Sequence, residues 1–145
     1  MHTLHLLLSV LINPTSSTPT TCYTTTLPEN ALILPSETAL KAFTTNNPDV
    51  TIHNHSGGYA IRQGWDGAIL AYTADPLSKD LNPRMASARL FDRLLQEKGM
   101  SEARLGAFFE EVRACSHPHC VHPGVIGQCM QYAACLWCGG SHRCI

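Results

Sequence analysis

The chain has 145 residues and a net charge of −1 with its histidines neutral; 44% of residues are apolar and 14% charged. That apolar share builds one modest core and excludes a wholly disordered chain, while the charged share lies below the roughly 25% of ordinary globular domains. Its three lysines (Lys41, Lys79, Lys98) form no basic run, so neither a nucleic-acid face nor a polybasic membrane patch is expected.

Leu4 to Ile12 is an apolar run broken only by His5 and Ser9. It has the length of a signal-peptide core and is too short to span a bilayer. Pro14 follows, and small residues at Ser16 and Ser17 suit cleavage, so residues 1–17 read as a signal peptide, although its start carries His2 and no Lys or Arg. A buried N-terminal element is the alternative, but the polar Thr/Ser/Pro stretch that follows would isolate it from a core. No other segment reaches the ~18 apolar residues of a membrane span. Residues 18–30 form a Thr/Ser/Pro-rich arm carrying Cys22, which has most purpose if a bridge ties it to the body.

Residues 31–114 read as an α+β body. Ala31–Leu34 is a short strand candidate, and Ser36 caps a helix stopped by Asn46-Asn47-Pro48. Val50–His55, Tyr59–Gln63 and Ala68–Ala74 read as strands joined by turns at Gly57-Gly58 and Gly64-Trp65-Asp66-Gly67, an antiparallel meander. The stretch DPLSKDLNP reads as a polar loop leading to a helix from Pro83 to Lys98, with Met85, Leu90, Phe91, Leu94 and Leu95 as its apolar stripe. Ser101 caps a last helix bearing Leu105, Phe108, Phe109 and Val112. The expected architecture is a small antiparallel sheet of three to four strands, packed by two to three helices.

Residues 115–145 hold six of the seven cysteines: Cys115, Cys120, Cys129, Cys135, Cys138 and Cys144. Disulfides use all of them in a loop-rich segment too poor in large apolar residues to fold by burial alone. Fifteen pairings of the six are open, and Cys22 makes the count odd. Cys22 is expected to bridge into the tail, leaving one tail cysteine free or joined to a second chain as a disulfide-linked dimer. The rival is zinc, with Cys115, Cys120, His117, His119 or His122 supplying one ligand pair and Cys135/Cys138 the other. Six thiols exceed the needs of one ion, so no metal or other cofactor is expected. A redox role for Cys135-x-x-Cys138 lacks the βαβ setting that it requires.

His53 and His55 alternate on one strand and share a face, with Arg62 across from them; two histidines and an arginine are the acid, base and phosphate clamp of a small secreted ribonuclease. A polar outer sheet face is the plainer reading. Asn54-His55-Ser56 is a glycosylation sequon. Trp65 at a turn tip is either an anchor for a partner or a lid on the helices.

The leader HTLHLLLSVLI, the Thr/Ser/Pro arm and the ending CMQYAACLWCGGSHRCI resemble the layout of small secreted cysteine-rich fungal proteins, a class that includes host-directed effectors and killer-type toxins. The resemblance implies an extracellular, disulfide-stabilised, usually non-enzymatic protein that binds a protein or cell-surface target of a host or competitor. A secreted hydrolase and an intracellular zinc module are the alternatives.

Overall fold

The computed structural model describes residues 18–99, 101–107 and 114–145. The expected signal peptide, and Phe108, Phe109 and Val112 of the expected last helix, lie outside them. The described elements are β1 (Ile33–Leu34), α1 (Glu37–Asn46), β2 (Val50–His55), β3 (Gly58–Gln63), β4 (Ile69–Thr73), α2 (Asp75–Lys98), α3 (Glu102–Gly106) and a 3₁₀ turn at Cys129–Gln131. The class is α+β, with a disulfide-bonded C-terminal segment.

The sheet runs β1-β4-β3-β2. Its β2–β3 and β3–β4 pairs are antiparallel, but β1 lies parallel to β4, so the sheet is mixed rather than wholly antiparallel. The segment spanning α1, β2 and β3 is long enough for the crossover that a parallel neighbour requires. β1 satisfies the free edge of β4, with the Tyr72 and Ala74 amides donating to the Leu32 and Leu34 carbonyls at 2.9 Å each. The β2–β3 turn falls at Ser56-Gly57, one residue before the expected Gly57-Gly58. Both residues have positive φ (47° and 98°), as a tight hairpin turn demands. Gly58 instead starts β3, where a Cβ would stand 2.3 Å from the Tyr23 ring.

Helix α2 begins at Asp75, not Pro83, and DPLSKD supplies its first turns. Pro76 suits the start of a helix because its missing N–H is one of the unpaired donors there. Pro83 lies inside the helix at an exposed position, where the hydrogen bond that it removes leaves a carbonyl open to water. What holds the extra turns is burial. Leu77, Leu81 and Met85 recur every four residues, continue into Ala88 and Phe91, and are each at most 1% exposed. Each large side chain so buried contributes about 1.5–3 kcal/mol.

The core fills the space between α1, α2 and one sheet face, with Leu40, Ile52, Tyr59, Ile61 and Ala71 meeting Leu77, Leu81 and Met85. The C-terminal segment joins this core through Ile126, Met130 and Leu136, while Ile145 packs with Ala88, Phe91 and Leu105. Its backbone is tied to the sheet and to α2. The Ile126 amide donates to the Val50 carbonyl at 3.1 Å, and Asp92 accepts from the Gly140 and Ser141 amides at 2.8 and 3.1 Å.

Candidate functional site

The six tail cysteines pair among themselves as Cys115–Cys135, Cys120–Cys138 and Cys129–Cys144. In chain order the first joins the fourth, the second the fifth and the third the sixth, so every loop crosses the other two. The Sγ atoms of Cys120, Cys129 and Cys144 lie within 4.8 Å of one another, the one such cluster among the described residues. Each sulfur is already in a disulfide and is no thiolate, so the cysteine-based zinc reading loses its ligands. The Cys135/Cys138 pair likewise forms no internal bond, since each partner is bonded elsewhere.

The expected bridge from Cys22 into the tail is corrected: Cys22 is the free cysteine. It sits on the first turn of α2, where its thiol donates to Ser78 Oγ at 3.6 Å. Burial, reinforced by the neighbouring Asp75, pushes the thiol pKa up and keeps it protonated. Asp75 replaces the missing covalent tie. Its carboxylate accepts from the Thr21 amide (2.9 Å), the Thr21 hydroxyl and the Cys22 amide (2.9 Å), and its own amide donates to the Pro19 carbonyl at 2.9 Å. These hydrogen bonds, led by that from Thr21, hold its pKa down to about 2. An aspartate at a helix start reads as an ordinary first-turn residue, so the sequence carries no signal of this clasp.

On the sheet face away from the helices, Thr51 lies opposite Arg62 and His53 opposite Ala60, which sets Arg62 diagonal to His53. The Thr51 hydroxyl donates to the Gly64 carbonyl, so its oxygen accepts from His53 Nε2–H at 2.7 Å. The neutral imidazole therefore keeps its lone pair on Nδ1. Burial, and then the Arg62 charge, lowers the His53 pKa and favours that neutral form. His55 turns away into an aromatic group, with its ring 5.3 Å from Tyr72 and 6.2 Å from Tyr23. His53 and Arg62 thus come together, and His55 packs elsewhere.

Trp65 stands edge-on to His53, with ring centres 5.4 Å apart, and its indole N–H donates to the Pro123 carbonyl at 3.2 Å. Its ring also occupies the space that a Cβ on Gly124 would need, 2.3 Å away. Yet Trp65 is 61% exposed, and Val121, two residues from Pro123, is 58% exposed. One edge of the indole is in contact with the Pro123–Gly124 backbone while most of the side chain is exposed, so Trp65 is no buried lid on the helices. Asn54 is exposed, and its Oδ1 accepts from Arg89 at 3.1 Å.

No family model, curated protein or solved structure matches the chain. Among the described residues, no helix is long and apolar enough to cross a membrane.

Proposed function

We propose that the chain is a secreted, disulfide-stabilised binding protein that docks on a protein target at the surface of a host or competitor cell, in the manner of an effector or toxin. The observation that carries this reading is Trp65, contacted by Pro123, Gly124 and His53 yet exposed. A large aromatic side chain whose orientation is set before binding loses little entropy on docking, which is how interface anchors gain their energy. The interleaved disulfides support the extracellular setting, because such bonds persist in oxidising compartments. The hydrolase reading is weaker, since His55 is committed to Tyr23 and Tyr72 and, among the described residues, no carboxylate is hydrogen-bonded to His53.

The test is competition for intact cells of a susceptible species, using the labelled oxidised protein. Saturable binding is expected to vanish after surface proteins are shaved with protease. Trp65→Ala is expected to compete about 30-fold less well, as for an anchor contributing about 2 kcal/mol. A variant competing as well as the parent overturns the assignment.

A further inference from the structure

Four histidines fall between Cys115 and Cys144, and no aspartate or glutamate occurs from Ala114 onward. His117 is accounted for, because its ring stacks on Phe91 at 5.0 Å and its Nδ1 donates to the Cys144 carbonyl at 2.9 Å. Among the described residues, the rings of His119 and His142 have no such core or carbonyl contact. Both are exposed, and their rings lie within 18° of parallel with centres 6.3 Å apart.

The backbones that carry them are fixed. His119 pairs with Arg143 in an antiparallel bridge, flanked by hydrogen bonds from the Cys120 amide to the His142 carbonyl (3.0 Å) and from the Cys144 amide to the Pro118 carbonyl (2.9 Å). Cys120 and Cys144 are each locked in a disulfide. His142 is held at φ 60°, in the left-handed region that side-chain-bearing residues rarely adopt. An imidazole nitrogen sits about 2.0–2.1 Å from zinc with its ring centre about 1.1 Å beyond. Two rings on one ion therefore have centres roughly 5 Å apart at a tetrahedral angle and roughly 6.3 Å apart at a linear one. The observed spacing matches the linear limit, and turning the two exposed, nearly parallel rings about their side-chain torsions would aim one nitrogen of each at a shared ion.

We propose that His119 and His142 form a two-imidazole seat for a divalent transition-metal ion of the zinc or copper class, with water or a partner's donor completing the coordination. Imidazoles without carboxylates suit these ions and not magnesium or calcium. The site is independent of the Trp65 reading. The charged and titratable neighbours are Arg143 opposite His119, His122 three residues along, and Asp92, which holds the Gly140 and Ser141 amides next to His142.

Zinc titrated into the oxidised full chain, read by calorimetry and by histidine ring NMR, tests the seat. One site with a dissociation constant on the order of micromolar is expected near pH 7.5. It should weaken at least about 10-fold near pH 5, where protons compete for the nitrogens. His119→Gln or His142→Asn, the second chosen because asparagine tolerates positive φ, should each cost at least about 10-fold, comparable to the loss of a supporting metal contact. His122→Ala should change nothing. Absence of binding at about 1 mM zinc, or binding that survives both His119→Gln and His142→Asn, overturns the proposal. So does the opposite pattern, in which inorganic phosphate binds instead, more tightly in acid and less tightly in Arg143→Gln.

Discussion

The phenol oxygen of Tyr23 stands where a ladder partner of Thr73 would, 3.0 Å from its amide nitrogen and 2.7 Å from its carbonyl oxygen. The regular β3–β4 register ends at Ala60 and Tyr72, and the same phenol also accepts from the Tyr59 amide at 3.3 Å. Tyr23→Phe strips these buried groups of a partner and is expected to cost about 1–3 kcal/mol in urea unfolding. Gly58→Ala, which drives a methyl into the Tyr23 ring, is expected to cost about as much by displacing the arm. An unchanged midpoint in both would mean that the arm is not docked.

The Asp75 clasp carries a defined pH dependence. Its folded-state pKa of about 2 lies below the ordinary carboxylate value of about 3.9. The stabilisation it provides is therefore complete above about pH 4 and is lost as pH falls through the folded value. Exchange protection of the Thr21 and Cys22 amides should fall between about pH 4 and pH 2. Asp75→Asn should show the weakened protection already at neutral pH and speed alkylation of Cys22.

Phe91 is fully buried and stacks on His117, so it joins α2 to the disulfide-bonded segment. Phe91→Ala is expected to cost about 3–5 kcal/mol, as for a large core deletion. Because Ile126, Met130 and Leu136 share the main core, the loss should appear as one lowered transition seen by both near-ultraviolet dichroism and tryptophan fluorescence. Two separate transitions would show that the tail folds on its own.

Replacing Cys129 and Cys144 together by serine removes a bridge that spans 15 residues. Loop-closure entropy for that span puts the cost at about 3 kcal/mol, within the usual 2–5 for a native disulfide. The other two bridges should still form, because Ile126, Met130, Leu136 and Ile145 of the same segment pack into the cores lined by α2 and the sheet. Scrambled pairing of the remaining four cysteines would contradict that packing.

Much of the fold is legible where a short-range rule decides it. Alternation and turn glycines mark β2, β3 and β4, and Ser36 with its hydrogen bond to the Ala39 amide marks the start of α1. Where long-range contact decides, the sequence is mute. The polar letters of DPLSKD hide the Leu77–Leu81–Met85 spacing that buries those turns, and the parallel placement of β1 depends on an edge that another strand leaves open. The same division runs through the site. Shared-face placement of His53 and Arg62 follows from strand register, whereas the pairing of the tail cysteines, the release of Cys22 and its substitution by the Asp75 clasp are products of packing.

The central claim is that six sulfurs are oxidised in pairs while Cys22 remains a thiol, and intact mass after alkylation tests it directly. Of the seven cysteines, one is free. The denatured, unreduced protein should thus take up one alkyl group, and seven after reduction, with peptide mapping returning Cys115–Cys135, Cys120–Cys138 and Cys129–Cys144. Uptake of several groups before reduction, or a bridge that includes Cys22, would contradict it.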